Sequence, residues 1–231
     1  MVINRTRTMT THRPYKAAIF DLDGTLLNSI ADLKDSVNYA LAECGLPQRS
    51  MDEVRAFLGN GMLRLMRLSL PDGAGEDVAQ RAIELFKRHY ADHCMDQTRP
   101  YDGIGQALDK LKERGVEVAI VSNKPDFAVS KIAERFFSRW SSLSVGEREG
   151  IRRKPYPDSI FSAMKQMGTA VDNSVYVGDS EVDIEAAHNA GLPCISVTWG
   201  FRDPAFLIKS GATILCHSPK EMCGEILGDR F

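Results

Sequence analysis

Three short apolar segments of this chain each run directly into a cluster of polar residues. The segments and their clusters are residues 17–20 with 21–25, residues 116–121 with 122–124, and residues 174–177 with 178–183. Near-continuous apolar runs of this length are typical of strands that are buried on both faces of a parallel sheet. Helical patterns lie between the runs, so the sequence predicts an α/β fold with a Rossmann-like parallel sheet core. Because ligands bind at the carboxyl ends of such strands, we expect the three clusters to meet along one edge.

A stretch of helical periodicity without a strand pattern interrupts this alternation. From residue 27 to residue 96, apolar residues recur at intervals of three and four, and the spacing predicts four helices. We therefore expect an inserted all-helical subdomain over residues 27–96, and a core made of residues 15–26 and 97–231. Residues 1–14 contain three Arg, four Thr and no acidic residue, and we expect them to form a disordered tail.

The charge balance and the hydropathy of the chain exclude several classes of protein. The 29 Lys and Arg residues against 31 Asp and Glu residues leave a net charge of −2, without the basic excess that nucleic-acid-binding proteins carry. No apolar run approaches the ~18–20 residues of a membrane span. The five cysteines are scattered and form no CxxC pair, which is typical of buried thiols in a reducing compartment. We therefore expect a cytoplasmic protein with neither a nucleic-acid nor a membrane partner.

Four aspartates lie in two of the polar clusters. Asp21 and Asp23 follow the first apolar segment, and Asp179 and Asp183 follow the third. Carboxylates gathered at one edge of a sheet repel one another unless a cation lies between them. A set of oxygen ligands without Cys or His favours Mg²⁺. The sequence therefore predicts a magnesium site at this edge.

A lysine and a hydroxyl group complete a set of residues suited to phosphoryl transfer. Lys154 lies in a basic segment, residues 148–154, and Ser122 follows the second apolar segment. A phosphoryl group in transfer spreads negative charge over its oxygens, and positioned cations stabilise that charge. At ~4 Å and an effective dielectric constant of ~20, two unit charges interact by about 4 kcal/mol, so a carboxylate that attacks a phosphate needs cations beside it.

These residues belong to sequence motifs that resemble those of a known family. The motifs are the run Asp21-Leu22-Asp23-Gly24-Thr25, then Ser122, then Lys154-Pro155, and finally Gly178-Asp179 with Asp183. In residue type, order and strand context they resemble the four motifs of the haloacid dehalogenase-like hydrolases, over the chain from Tyr15 to its C-terminus. The resemblance implies a Rossmannoid core with a helical cap inserted after the first motif, in agreement with the helical insertion described above.

The resemblance also implies catalytic roles. Asp21 would be the nucleophile, which forms an aspartyl-phosphate. Asp23 would be the general acid–base, which protonates the leaving alkoxide and later activates water. Ser122 and Lys154 would hold the phosphoryl oxygens, and Lys154 would also neutralise Asp21.

A set of Mg²⁺ ligands follows from the same resemblance. Asp21 and Asp179 would bind the ion through their carboxylates, Asp23 would bind it through its backbone carbonyl, and Asp183 would support this ligand set. The acid at position 23 excludes the dehalogenase branch of the family, which lacks an acid there.

Further segments are similar to the phosphoglycolate phosphatase group. They are residues 121–125, 178–187, 199–201 and 211–212, and Gly59-Asn60-Gly61 in the cap. This similarity implies hydrolysis of 2-phosphoglycolate to glycolate and phosphate. The residues expected to bind the substrate are Thr25, Asn123, Gly61 and Arg64. A carboxylate on the substrate favours a cationic contact from the cap, for which Arg64 and Arg67 are the candidates. Asn28 departs from the group, which usually has an acid at this place.

Three other functions stay open. A phosphomutase of the β-phosphoglucomutase kind would share the aspartate pair but would need a phosphorylated cofactor. A hydrolase of the same branch could instead act on another sugar phosphate or on pyrophosphate. A catalytically silent binding module is the third, although the complete set of Asp21, Asp23, Lys154 and Asp179 weighs against it. The expected partner is a small phosphorylated substrate, and the expected assembly is a monomer or a homodimer.

Overall fold

The computed structural model describes residues 14–141 and 143–229, in which strands and helices alternate. The strands are β1 (Ala17–Phe20), β2 (Leu27–Asn28), β3 (Arg99–Pro100), β4 (Glu117–Pro125), β5 (Leu143–Glu147), β6 (Ser174–Gly178), β7 (Cys194–Val197) and β8 (Ile214–Cys216). The helices are α1 (Ile30–Glu43), α2 (Met51–Phe57), α3 (Gly61–Ser69), α4 (Glu76–His93), α5 (Ile104–Glu113), α6 (Asp126–Phe137), α7 (Asp158–Met167), α8 (Glu181–Ala190), α9 (Pro204–Lys209) and α10 (Pro219–Leu227). The tail predicted over residues 1–14 lies outside the described residues, apart from Pro14.

Six of the strands form one parallel sheet in the order β5-β4-β1-β6-β7-β8. Strand β1 lies inside this sheet, where Ala17 is paired with Glu117 of β4 on one side and with Ser174 of β6 on the other. Helices pack on both faces of the sheet. The predicted α/β class with a Rossmann-like parallel core is confirmed.

The alternation of side chains along β1 divides the hydrophobic core into two parts. Ala18 and Phe20 pack on the face that is covered by α1, α5 and α10, among other helices. Ile19 points to the opposite face, where it packs with Tyr176 of β6 and with residues of α7 and α8. Because β1 is buried on both faces, the first place where the chain can present polar groups is its carboxyl end, at Asp21.

Helices α1 to α4, residues 30–93, lie between the short strands β2 and β3, and we call them the cap. The short strands β2 and β3 pair in antiparallel fashion where the chain enters and leaves this segment. Beside them, the buried carboxylate of Asp32 accepts hydrogen bonds from the backbone N–H groups of Gln97 and Thr98, each at 2.9 Å, and so ties the two connections together. The boundaries at residues 27 and 96 stay a prediction.

The structure also differs from the sequence-based expectations. Strand β4 continues to Pro125, so the polar residues 122–124 belong to the strand rather than to a loop after it, and its register with β5 shifts between Val121 and Pro125. The antiparallel pair β2 and β3 and the helices α9 and α10 were not expected. None of the helices in the described part of the chain is both long and apolar enough to cross a membrane.

Candidate active site

A cavity lies at the carboxyl ends of β1, β4 and β6, between the core and the cap. On the core side it is lined by residues of all three predicted polar clusters and of the loop before α7: Asp21, Asp23, Ser122, Asn123, Lys124, Lys154, Asp179 and Ser180. On the cap side the lining is mainly apolar: Leu33, Leu58, Met62, Leu65, Phe86 and Tyr90. The three clusters that follow apolar segments in the sequence thus meet at one edge of the sheet.

Lys154 is the centre of a buried hydrogen-bond network. Its Nζ donates to Asp21 Oδ1 at 2.7 Å, to Asp183 Oδ1 at 2.7 Å and to the Tyr176 hydroxyl at 2.9 Å. Burial by itself would lower the pKa of Lys154, but the charges of Asp183 and Asp21 outweigh this and hold the pKa well above its ordinary value. Lys154 is therefore charged and fixed beside the predicted nucleophile.

Asp183 is held by the start of α8. Its Oδ2 accepts hydrogen bonds from the Ser180 backbone N–H at 3.1 Å and from the Ser180 hydroxyl at 2.6 Å. These contacts are the helix-capping interaction that the spacing of Ser180 and Asp183 predicts. With Oδ1 bound to Lys154 and Tyr176, both oxygens have protein partners, so Asp183 orients Lys154 and supports the acidic cluster.

Asp179 is placed by close contacts with two neighbouring loops. Its Oδ2 accepts the Phe201 backbone N–H at 2.8 Å, and its Oδ1 accepts the Thr25 hydroxyl at 3.2 Å. Gly24 has φ +90°, and a Cβ at this position would collide with the Asp179 carboxylate. The glycine of the Asp-Leu-Asp-Gly-Thr turn is therefore required both by its backbone conformation and by the close approach of Asp179.

Three buried carboxylates in this site lie close enough together to bind one cation. Asp21, Asp179 and Asp183 each have an oxygen within 4.8 Å of the others. Burial raises the pKa of Asp21 to about 7, against the effect of Lys154 and with the help of the Asp183 charge. Burial and the charges of Asp183 and Asp21 hold the pKa of Asp179 well above its ordinary value. One lysine does not neutralise three acids, so the excess charge and the hard oxygen ligands fit a divalent cation.

The Asp23 carboxylate is held by partners other than those of this cluster. Its Oδ1 accepts a hydrogen bond from Lys124 Nζ at 2.8 Å and another from the Ser29 hydroxyl at 2.5 Å. Lys124 Nζ also donates to the Tyr90 hydroxyl of the cap. The sequence predicts no role for Ser29, Lys124 or Tyr90. Lys124 contacts Asp23 across 101 residues and Tyr90 contacts Lys124 across 34, so no local pattern reveals these two contacts.

Of the four predicted substrate-binding residues, two line the cavity and two do not. Asn123 lines the cavity, and its side chain bridges the backbone of Lys154 and the carbonyl of Gly59, at 2.9 and 3.2 Å for the Nδ2 atom. Gly61 also lines the cavity. Thr25 is buried against Asp179, and Arg64 is exposed on α3; neither is among the lining residues. The assignments of all four residues to substrate binding stay predictions.

Comparisons with known proteins agree with this fold. The sequence profile of the haloacid dehalogenase-like hydrolases matches residues 18–197. The chain belongs to the haloacid dehalogenase-like hydrolases. A phosphoglycolate phosphatase of Pseudomonas syringae pv. tomato is 37% identical over 192 residues, which cover 80% of this chain and 70% of that protein. Phosphoglycolate phosphatase 1 of Pseudomonas aeruginosa is 33% identical over 214 residues, which cover 90% of this chain and 78% of that protein.

A solved structure shows the same architecture. A crystal structure of a protein from Lactobacillus delbrueckii subsp. bulgaricus matches with a TM-score of 0.89 and 36% identity, and the match covers 94% of this chain and 100% of that one. Sequence and structure thus place this hydrolase in the phosphoglycolate phosphatase-like group. It is a phosphatase, that is, a hydrolase of phosphoric monoesters.

The raised pKa of Asp21 gives this hydrolase a pH-dependent stability when metal is absent. The folded protein keeps a proton on Asp21 up to a pH of about 7, whereas the unfolded chain loses it near the ordinary aspartate pKa of 3.8. Because the folded state binds more protons between these values, the free energy of unfolding should fall as the pH rises through this range. In EDTA we expect the melting temperature of the wild type to fall from pH 5 to pH 8, and to fall less in Asp21→Asn.

Added Mg²⁺ should reverse this trend. The ion binds the deprotonated acids, so its stabilisation should be larger at pH 8 than at pH 5. Thermal melts of the wild type with EDTA and with saturating Mg²⁺ at the two pH values provide the measurement. Equal Mg²⁺ shifts at both pH values, or no shift at either, would show that the acidic cluster is not a cation site.

Arg202 connects the core of this hydrolase with its cap. The guanidinium is oriented by Glu181, with Nε and Oε2 2.9 Å apart. Its other nitrogens donate to the backbone carbonyls of Arg55 at 3.0 Å and Leu58 at 2.8 Å, at the end of α2. Leu58 and the following Gly59 line the cavity, so Arg202 holds one wall of the site from the core side.

Replacing Arg202 with methionine should therefore weaken the attachment of the cap side of the cavity, and so affect substrate binding more than the catalytic steps. Hydrogen bonds to charged groups contribute about 1.5–3 kcal/mol each, and partial loss of two of them predicts an increase in KM of about tenfold, with a smaller change in kcat. Steady-state kinetics with a phosphomonoester measure both constants. Arg114→Met is a matched control, because Arg114 pairs with Asp229 on the surface of the core, outside the cavity lining, and should leave KM unchanged. An Arg202→Met variant with wild-type KM would contradict this role.

Proposed function

We propose that the chain is a Mg²⁺-dependent phosphatase that hydrolyses 2-phosphoglycolate to glycolate and phosphate through an aspartyl-phosphate on Asp21. The observation that carries the proposal is the pairing of the Asp21 carboxylate with Lys154 at 2.7 Å, on the wall of a cavity that also exposes Asp23. A carboxylate nucleophile, a fixed cation and a second carboxylic acid are the groups that a two-step phosphoryl transfer requires.

In the first step an Asp21 oxygen attacks the phosphorus atom. A bond forms between the carboxylate oxygen and phosphorus, and the bond between phosphorus and the glycolate oxygen breaks. Asp23 gives its proton to the leaving alkoxide, which departs as the alcohol. The products of this step are a phosphorylated Asp21 and an ionised Asp23.

In the second step Asp23 acts as a base. It takes a proton from water, whose oxygen attacks the phosphorus atom of the aspartyl-phosphate. The bond between Asp21 and phosphorus breaks, which releases phosphate and restores the free carboxylate of Asp21. Asp23 thereby regains the proton that it gave to the leaving group in the first step.

The surrounding residues stabilise charge on the phosphoryl oxygens. Lys154 lies against Asp21, so its ammonium reduces the repulsion between the attacking carboxylate and the phosphate. Ser122 lines the cavity and offers its hydroxyl as a donor. Mg²⁺ held by the carboxylates of Asp21 and Asp179 and by the Asp23 carbonyl, with support from Asp183, would supply further positive charge for this purpose.

The choice of 2-phosphoglycolate rests on the relatives and on the charge of the cavity. The two bacterial relatives described above, 37% and 33% identical to this chain, are named as phosphoglycolate phosphatases. Arg202 adds positive charge to the lining beyond Lys154, which suits a substrate that carries a carboxylate as well as a phosphate. Asn123, Gly61, Thr25 and Arg64 remain proposed substrate contacts, and a rise in KM that is specific to acidic substrates in Arg64→Gln would support the last of them.

Phosphate release from a panel of substrates tests the proposed function. The panel holds 2-phosphoglycolate, pyrophosphate, hexose phosphates and nucleotides, each with Mg²⁺ and with EDTA. We expect the highest kcat/KM for 2-phosphoglycolate and no turnover in EDTA. A clear preference for another phosphomonoester would replace the substrate but keep the mechanism. Phosphate release from none of them would contradict the proposed function and favour a mutase.

We also propose a cytoplasmic protein that works as a monomer or a homodimer. All five cysteines are free thiols, as expected in a reducing compartment.

A further inference from the structure

Lys124 is a buried cation that the phosphoryl-transfer steps above do not use. Its side chain is 4% exposed, and its Nζ pairs with Asp23 Oδ1 at 2.8 Å. Lys154, in contrast, pairs with Asp21 and Asp183. The site therefore keeps two buried lysines apart, one for each of the two aspartates of the first motif. Burying an ammonium group is costly, so a buried lysine outside these steps points to another role for its contact with Asp23.

Two side chains contact the Asp23 carboxylate directly, and a third acts on it through one of these two. Ser29, at the entry to the cap, donates its hydroxyl to Asp23 Oδ1. Lys124 of β4 donates to the same oxygen. The Tyr90 hydroxyl of α4 in turn accepts from Lys124 Nζ, and the ammonium also lies 5.0 Å from the centre of the Tyr90 ring. The orientation of Asp23 thus depends on the core, on the connection to the cap and, through Lys124, on the cap itself.

The two oxygens of the Asp23 carboxylate differ in their hydrogen bonds, in a way that suits proton transfer. Within residues 14–141 and 143–229, both side-chain hydrogen bonds to the Asp23 carboxylate end on Oδ1. This leaves Oδ2 to carry the transferred proton, and Asp23 lines the cavity of the proposed active site. Proton transfer requires the donor oxygen to come within hydrogen-bond distance of the leaving oxygen, so fixing Oδ1 restricts where Oδ2 can point.

We propose that Lys124 and Tyr90 are positioning residues for Asp23, and that they make its action as a general acid depend on the cap being packed against the core. Neither residue is assigned a contact with the phosphoryl group; both act through the Asp23 carboxylate. This inference rests on the proposed function, because it assumes that Asp23 protonates the leaving group.

The dependence of rate on the leaving group tests this proposal. An alkoxide such as the glycolate oxygen must be protonated as it leaves, whereas p-nitrophenolate is stable enough to leave without a proton. A defect confined to Asp23 should therefore slow the release of alkyl leaving groups and spare aryl ones. The rates are measured in single turnover, with enzyme in excess, so that they report the phosphorylation step rather than the later hydrolysis.

Two variants are compared with the wild type in this test. In Lys124→Met we expect release of glycolate from 2-phosphoglycolate to slow by about a hundredfold, a typical contribution of general acid catalysis, and release of p-nitrophenolate from p-nitrophenyl phosphate to change by less than about threefold. In Tyr90→Phe, which removes one oxygen and keeps the ring, we expect a loss of about fivefold for the alkyl substrate, as for one lost hydrogen bond, and none for the aryl one. This milder variant keeps the test valid if Lys124→Met does not fold.

Two matched controls separate positioning from general loosening of the cap. Lys131 on α6 also reaches the cap, where its Nζ donates to the Ala91 carbonyl at 3.2 Å, but it does not touch Asp23. Tyr39 is an exposed tyrosine of α1 in the cap. Lys131→Met and Tyr39→Phe should therefore leave the release rates of both substrates unchanged.

Three results would overturn the proposal. Equal losses for the alkyl and aryl substrates would show that Lys124 and Tyr90 support only the fold. A rise in KM for 2-phosphoglycolate with unchanged kcat would show that Lys124 binds the substrate carboxylate instead of orienting Asp23. A wild-type protein that releases neither leaving group would remove the proposed function together with the inference, whereas the first two results leave the phosphatase function intact.

Discussion

Replacing Asp21 with asparagine should reduce phosphate release by about four orders of magnitude or more, the scale of loss seen when a covalent nucleophile is removed, and should leave the protein folded. The asparagine side chain has the size of the aspartate but does not form a stable phosphorylated product. Such a loss corresponds to about 5 kcal/mol of transition-state stabilisation. Since Lys154 keeps its contacts with Asp183 and Tyr176, the packing around position 21 should survive.

The control for this variant is Asp52→Asn. Asp52 lies at the start of α2 with an exposed side chain that pairs with Arg55, far from the cavity lining. Phosphate release and thermal melts are measured for both variants and for the wild type. Appreciable turnover by a folded Asp21→Asn protein would contradict a nucleophilic role for Asp21.

Replacing Lys154 with methionine should have the second largest effect, on both activity and stability. The ammonium lies between the Asp21 and Asp183 carboxylates, so its loss leaves two buried acids without their cation. Breaking a buried ion pair in this way costs about 3–5 kcal/mol of unfolding free energy. Loss of one stabilising group in a phosphoryl-transfer site predicts a fall in kcat of about a hundredfold to a thousandfold.

The destabilisation should depend on pH. Without Lys154 the pKa of Asp21, already raised to about 7 by burial, would rise further, and protonation in acid would relieve the unpaired charge. In EDTA the difference in unfolding free energy between wild type and Lys154→Met should thus be smaller at pH 5 than at pH 8. Lys165→Met, at an exposed lysine of α7, is the control. A Lys154→Met protein as stable and as active as this control would contradict the central position of Lys154.

The sequence predicts the sheet and the position of the acids well, for a local physical reason. Apolar runs such as residues 17–20 are long enough to be identified as buried strands, and an acid directly after such a run must lie at the carboxyl edge of the sheet. Asp21 and Asp179 are fixed in this way. The capping contact between Ser180 and Asp183 is also local, since it spans three residues.

Other features of the structure depend on distant contacts that no local pattern encodes. Lys124 and Asp23 are separated by 101 residues, and Lys124 and Tyr90 by 34. Strands β2 and β3 have two residues each, too few for a periodicity, and form only because the cap connections meet. The polar character of residues 122–124 predicts a loop, yet they continue β4, because this strand stays paired with β5 as far as Pro125 and Glu147.

The most direct test of the central claim is to trap the phosphorylated enzyme. Wild-type protein is mixed with 2-phosphoglycolate and Mg²⁺, quenched in acid within the first turnover, digested, and analysed by mass spectrometry, with Asp21→Asn treated in parallel. We expect one added phosphoryl group on the wild-type peptide that contains Asp21, removed by hydroxylamine, and none on the variant. Rapid phosphate release by the wild type without any phosphorylated peptide, or with the phosphoryl group on another residue, would contradict the account.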